Sequence, residues 1–486
     1  MKSDLELGRR EVVGGLVGTA ALAGSSVSAA AAGQPVRKYA IVGCGSRGRM
    51  YSDAIWNAHK ATSELVALCD TNPGRLAYYS RRATDAQAKA PRTYLASDFD
   101  KMIREQRPDA LIVTTPDSSH SDYLVRALDA GIDVITEKPM TTDAAKVQAI
   151  LDATKRNQRH ARVTFNYRYA PYRTQIKEML MAGEIGDILS VDFTWLLNTV
   201  HGADYFRRWH SNKATSGGLM VHKATHHFDL INWWLSDVPK SVQAVGKRDF
   251  YTPEMARRMG LQGPHRRCLT CPEKDKCTFH LDLTKEPSMR ALYLEAEKYD
   301  GYFRDQCVWR PEIDIEDTMN VIVGYAGGAT LTYSLNAFNA WEGYNLAFNG
   351  TKGRIEHSLV ESAFVAGSEA QMREGSREKI ATRIIPLRGA PREIEPRTGQ
   401  GGHGGGDEVM LRDIFDPNAP ADPLMRSADE RGGAWSTLIG IAANRCFETG
   451  QPTRIASLVQ GLELPAATPM PTHDQPLPMP PQVVQL

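Results

Sequence analysis

Lys38-Tyr39-Ala40-Ile41-Val42-Gly43-Cys44-Gly45-Ser46-Arg47-Gly48 is a short apolar strand that runs into three spaced glycines, and a segment of helical character follows it. Strand, glycine turn and helix is the order that dinucleotide binding requires. Gly43 permits the tight turn, Gly45 lets the backbone approach a pyrophosphate, and Gly48 lets helix and strand pack closely. The N–H groups at the helix start, around Ser46 and Arg47, then face the phosphates. A lone glycine pattern carries little weight. Here a second apolar strand, Leu65 to Leu68, leads to Asp70, 22 residues beyond Gly48, where a carboxylate can accept both hydroxyls of a ribose. The alternative for Asp70 is a turn residue before Asn72-Pro73. A carboxylate there repels a 2′-phosphate, so NAD is expected rather than NADP, with Arg75 the one nearby residue that speaks for the phosphate.

Outward from this unit, strand and helix continue to alternate: Ala110 to Thr114, a helix from Ser121 to Ala130, then Val134 to Thr136. Such alternation makes a doubly wound parallel sheet, expected over residues 34–160. Beyond about residue 160 the texture changes to longer β-rich segments, Leu189 to Leu196, Ser241 to Val245, Met319 to Tyr325, Ala329 to Leu335 and Tyr344 to Asn349. They predict a second α/β domain over 161–400 with an open, mainly antiparallel sheet. Gly327-Gly328 and Gly350-Thr351-Lys352-Gly353 fit its hairpin turns. The glycines at 401, 402, 404, 405 and 406 are expected to form a mobile loop. Helices at Glu408 to Phe415 and Ala434 to Thr449 fill a segment 401–464, and a proline-rich stretch, 465–486, is expected to be extended or disordered.

Across 486 residues, 58 basic side chains against 57 acidic ones give a net charge of +1, without the basic excess that counterion release at a nucleic-acid backbone exploits. Nucleic acid is therefore not an expected partner. Arg9-Arg10 precede a mildly apolar stretch, Val12 to Ala23, and a run of small residues, Ser25 to Ala32. Residues 1–32 read as a twin-arginine export signal, because the Gly-interrupted stretch falls short of the roughly 18 apolar residues that a membrane span needs. A periplasmic or extracellular protein, with no membrane attachment after cleavage, is expected. Because that route carries folded proteins, a cofactor loaded beforehand and tightly held is expected with it.

Several motifs resemble the glucose-fructose oxidoreductase, inositol dehydrogenase and rhizopine-catabolism family, Gfo/Idh/MocA, from Tyr39 to about Val360. They are Gly43 to Gly48, Thr115-Pro116 with His120, Glu137-Lys138-Pro139, Tyr167-Arg168, Gly183-Glu184-Ile185-Gly186, and Gly217-Gly218 leading to His226 and Asp229. The resemblance implies a Rossmann domain joined to an open-sheet α/β domain, a sugar bound between them, and a homo-oligomer. It places Thr115, Pro116, His120, Glu137 and Lys138 around the cofactor. Alcohol oxidation needs a base, a donor that steadies the developing alkoxide, and a carbinol hydrogen held over the nicotinamide. Lys138 matches the family lysine and is the expected donor.

His222 and His226 are one helical turn apart and share a face with Asp229. Dehydrogenases similar to this chain usually carry Asp where His222 stands, and the histidine matching His226 is the expected base. Lys223 occupies the place of the glutamate in a zinc-protease motif, which speaks against metal catalysis there. Tyr167, Arg168, His227 and His403 are weaker candidates for touching substrate, with His227 also readable as an ordinary helix residue and Asp407 as a helix cap. Cys268, Cys271 and Cys277, with His280 and Cys307, lie in an insertion spanning 249–316. Their spacing suits a structural zinc, a pair of disulfides or an iron–sulfur cluster. Three functions remain open: a sugar oxidoreductase, a redox-neutral glycoside hydrolase, lyase or epimerase working through transient oxidation, and a non-catalytic sugar sensor. Retention of Lys138 and His226 favours the first two. An incomplete match to the glycosidase pattern puts oxidoreductase ahead.

Overall fold

A computed structural model describes residues 35–365, 379–399 and 401–480. The expected export segment, 1–32, and the last six residues lie outside the described residues. The first sheet has six parallel strands, β1 (Arg37–Val42), β2 (Ser63–Asp70), β3 (Arg92–Leu95), β4 (Ala110–Val113), β5 (Asp133–Thr136) and β6 (Ala161–Val163). Their spatial order is β3-β2-β1-β4-β5-β6. The order reverses between β1 and β4, and in sheets of this kind a ligand settles in the crevice at such a point. The inner strands are buried on both faces, which explains their continuous apolar runs.

The second sheet has nine strands: β7 (Ile188–Asn198), β8 (Pro239–Lys247), β9 (Thr318–Tyr325), β10 (Thr330–Asn339), β11 (Glu342–Gly350), β12 (Gly353–Ser362), β13 (Lys379–Pro386), β14 (Arg392–Ile394) and β15 (Thr453–Arg454). All neighbours pair antiparallel except β7 with β10, so the expected α/β architecture is found, with one parallel pair inside the second sheet. β7, β9 and β10 largely alternate buried and more exposed residues, the pattern of a sheet with one face packed. The packed face meets the helix Ala224–Leu235, every residue of which is buried, and the helix Glu430–Thr449 packs against that helix and β8.

One expectation about loops changes. The glycines near 404 are not a loose loop. Gly404, Gly405 and Gly406 are buried, and a Cβ at Gly406 would come within 2.5 Å of the Asn166 carbonyl oxygen. Glycine is required there by close approach of two backbones. The described part of the proline-rich stretch is mostly exposed, with Thr468 buried and sharing a hydrogen bond of 2.9 Å with Ser236.

Candidate active site

A cavity of about 1200 Å³ opens along the carboxyl edge of the first sheet. Gly43, Gly45, Ser46, Arg47, Asp70, Thr115, Pro116, His120, Glu137 and Lys138 all line it. Gly43 has φ +93°, and a Cβ there would meet the Thr114 and Thr115 backbone at 2.6 Å. A Cβ at Gly45 would meet only the Tyr293 hydroxyl, at 3.7 Å, so this glycine keeps a cradle open for a phosphate. Gly48 does not face the cavity but lets its helix pack against Tyr79 and the Gly43 carbonyl. Asp70 accepts hydrogen bonds from the Cys44 N–H at 2.6 Å and the Asn72 N–H at 2.8 Å. A carboxylate has about four acceptor positions, so two remain for a ribose diol. The cradle and the acceptor together fit an NAD nucleotide.

Glu137 acts as a strut rather than a contact surface. It accepts from Arg47 Nε at 2.6 Å and from the Tyr51 hydroxyl at 2.7 Å. Burial opposes its ionisation, but Arg47 and these bonds hold the carboxyl below its ordinary range. His120 bridges the Thr115 and Pro139 carbonyls, each at 2.9 Å, and so fixes the loop that carries Lys138.

At the other end of the cavity the side chains form a chain. Asp117 Oδ2 lies 2.6 Å from His222 Nδ1, and Lys138 Nζ lies 3.5 Å from His222 Nε2 and 3.2 Å from the His222 carbonyl oxygen. Asp117 is buried; burial pushes its carboxyl up, against the pull of Lys138. A ring whose Nδ1–H donates to a carboxylate presents a basic Nε2, here beside an ammonium group. The edges of Tyr205 and His210 pack against the His222 ring. His226 also lines the cavity and is stacked on Tyr167, with ring centroids 4.1 Å apart. The single helix face expected for His222, His226 and Asp229 is not formed. One helix ends at His222, the next begins at Ala224, and Asp229 points elsewhere.

Asp229 is fully buried against Arg168, 2.7 Å from its Nε, so Arg168 is a structural cation and not a cavity residue. His227 is buried between Trp195 and the Tyr333 hydroxyl, 2.6 Å away, and Tyr167 serves as the plate beneath His226. None of these three lines the cavity. His403 does, with its Nδ1 2.7 Å from Asp407. Cys268, Cys271, Cys277 and Cys307 surround a separate space of only about 20 Å³, all as free thiols. Among the described residues no disulfide is formed. Among the described residues no three donors converge as ligands, and the Arg207 guanidinium donates to Cys268 Sγ at 3.3 Å. Cys44, Cys69 and Cys446 are buried, as expected of core thiols.

The insertion has a role that its cysteines did not announce. It leaves the second sheet after β8 and returns before β9, and three short helical turns between Pro287 and Asp300 lie over the nucleotide cradle. The Ser46 N–H donates to the Tyr293 hydroxyl at 3.2 Å, Arg49 donates to Ser288 at 2.8 Å, and Asn72 donates to the Ala296 carbonyl at 3.0 Å. Arg75 pairs with Asp300 at 2.8 Å. Asp117 and the arginine-rich wall of Arg207, Arg208 and Arg304 were also missed. Asp117 directly follows the Thr115-Pro116 motif, and Tyr205 to His210 packs two arginines among aromatic residues, so both carried a local signal.

Comparison with known proteins agrees with this arrangement. Residues 37–165 match the oxidoreductase family's NAD-binding Rossmann fold, and residues 177–417 match its C-terminal alpha/beta domain, both of the Gfo/Idh/MocA group. The putative oxidoreductase YteT of Bacillus subtilis is 37% identical over 86% of this chain and 98% of its own length. An inositol 2-dehydrogenase of Rhizobium meliloti is 27% identical over 43% of this chain and 58% of its own. Among solved structures, the aldose-aldose oxidoreductase of Caulobacter crescentus, complexed with glycerol, covers 86% of this chain and 100% of its own at 19% identity, with a TM-score of 0.55. The WlbA dehydrogenase of Bordetella pertussis, in complex with NADH and UDP-GlcNAcA, covers 86% and 99% at 18% identity, with a TM-score of 0.56. At these identities the structural likeness speaks for the fold alone.

Proposed function

The chain belongs to the Gfo/Idh/MocA family of oxidoreductases, and from that premise we propose that it oxidises a secondary alcohol of a sugar or glycoside with NAD. One observation carries the reading: the Asp117–His222–Lys138 chain stands in the same cavity as the glycine cradle and Asp70. Nicotinamide supplies a hydride acceptor when bound. Lys138 donates to the substrate oxygen and steadies its growing negative charge. His222 takes the hydroxyl proton at Nε2, and Asp117 holds the ring in the tautomer that makes this nitrogen basic. This moves the base from His226, the family expectation, to His222. His226, stacked on Tyr167, is the second proton carrier at the cavity wall.

The insertion supports a retained cofactor, because its Tyr293 and Asp300 touch Ser46 and Arg75 at the nucleotide cradle. A retained cofactor needs its hydride returned, either to a second substrate or to the same sugar after a redox-neutral step. Export through Arg9-Arg10 and self-association of the chain belong to the same proposal. Retention of Arg9→Lys, Arg10→Lys precursor inside the cell and the mass of the purified particle by light scattering test them.

The experiment for the reaction is a panel of sugars offered to NAD-loaded protein while absorbance of the reduced nicotinamide is followed, with His222→Ala and His226→Ala beside it. The larger loss is expected for His222→Ala. An inactive His226→Ala with a nearly normal His222→Ala returns the base to His226. Unreduced nicotinamide with every sugar, on protein that holds NAD, ends the oxidoreductase reading for this cavity.

A further inference from the structure

We infer that the sugar end of the cavity selects an anionic substrate, a sugar acid whose carboxylate is held by Arg208 and Arg304; the inference rests on the proposed reading of this cavity as the hydroxyl-oxidising site. Lys138, Arg207, Arg208 and Arg304 line this end, and the carboxylates there, among the described residues and apart from the Arg47–Glu137 pair, are Asp117 and Asp204. Asp117 is engaged by His222. Asp204 alone serves two guanidinium groups, with Arg304 Nη1 at 2.7 Å and Arg208 Nε at 3.1 Å. Arg207 is spent on neutral groups, the Phe279 carbonyl and the Cys268 thiol.

One carboxylate between two arginines leaves a positive charge on this wall, where Arg304 is only 7% exposed. Charge withdrawn from water in this way requires a partner, and a guanidinium fork matches a carboxylate. The field is felt by a neighbour: burial, followed by the repulsion of Arg208, His222, Lys138 and Arg304, holds protonation of His210 well below the usual histidine range. The nucleotide end shows no such surplus. Arg47 is matched by Glu137, and Arg75 by Asp300 and Asp70. Arg304 comes from the insertion, so the segment that covers the nucleotide also supplies a wall of the sugar site. Trp209, stacked on His210, and Tyr302 also line the cavity.

The test compares pairs that differ only in charge: glucuronate with glucose, galacturonate with galactose, and glucose 6-phosphate as the other anion. Calorimetric binding to NAD-loaded protein and nicotinamide reduction are both read. A charge-assisted bond predicts at least about tenfold tighter binding of the sugar acid, weakening with salt. Arg208→Gln and Arg304→Gln should each raise the apparent dissociation constant for the acid about 10- to 100-fold, while Arg304→Lys restores part of it and NAD retention stays normal. Tighter binding of the acid without turnover supports the anion site and sinks the oxidation reading. Equal binding of acid and neutral sugar overturns the inference and leaves oxidation standing. Preference for the phosphate over both acids overturns the carboxylate assignment. Loss of NAD retention in the arginine variants, with unchanged sugar preference, assigns these arginines to the nucleotide's pyrophosphate and likewise overturns it.

Discussion

The two ends of one cavity are built in different ways. At the nucleotide end a single contiguous stretch, Lys38 to Gly48, and one carboxylate, Asp70, provide the phosphate cradle and the ribose acceptor, and they act mainly through backbone amides and open space. At the other end, the proposed sugar site, Asp117, Lys138, Arg208, His222 and Arg304 arrive from separate segments, and what they present is side-chain charge. What the first end recognises is the same in every dinucleotide, so a local backbone motif suffices. The second must choose one substrate and place its hydroxyl, which needs groups converging from several directions.

The sharpest way to break this comparison is to remove chemistry from one end only. Lys138→Ala and His222→Ala should each lower kcat about 100- to 10,000-fold with NAD still bound, and the double variant should lose little more than either alone. Stopped-flow reduction on nucleotide-loaded protein checks this. Losses that multiply would mean that the two groups act on different steps. At the nucleotide end, Asp70→Asn should weaken NAD binding about 10- to 100-fold by losing one charge-assisted acceptor. Its effect on kcat in saturating NAD should be small, and a dominant kcat effect would erase the division of labour.

A smaller effect is expected where the ends are linked by the insertion. Tyr293→Phe removes the hydroxyl that meets the Ser46 N–H. NAD release, followed by fluorescence of the reduced nucleotide, should speed up by a factor of about 3 to 10, the worth of about one hydrogen bond. An unchanged rate would show that this segment does not retain the cofactor.

A separate effect, on stability rather than on catalysis, is expected within the second sheet. His357 is buried between the Tyr344 and Thr382 hydroxyls, and burial, with the nearby Arg173 charge, pushes its protonation down to about 3. The unfolded chain takes up this proton near pH 6.5. The folded state is therefore favoured fully above about pH 6.5 and loses stability as pH falls toward 3, at up to about 1.4 kcal/mol per pH unit. Melting curves from pH 7 to 4 should fall less steeply for His357→Gln than for the parent chain. Parallel curves would assign the acid sensitivity to other groups.

Residue type alone could not separate site from scaffold. Arg168 and Asp229 have the chemistry of a binding pair, and only burial shows that they satisfy each other. His226 and His227 are adjacent in sequence, yet one lines the cavity and the other is locked under Trp195 and Tyr333. The cysteine spacing suggested a ligand set, but Arg207, remote in sequence, decides what Cys268 faces.

The sequence by itself determined the first sheet, the glycine cradle and Asp70, because these depend on apolar periodicity and on turns a few residues long, where local backbone preference decides conformation, whereas Lys138 was legible through its resemblance to a family motif. It also made the mainly antiparallel second sheet legible through alternation and hairpin signals. Only the tertiary structure decided that Asp117 orients His222, that the helix breaks before Ala224, and that an insertion hung between β8 and β9 closes over a nucleotide site more than 200 residues earlier in the chain. Each of these is a contact between distant segments, set by how two sheets and a long connection pack together, and no local pattern encodes such packing.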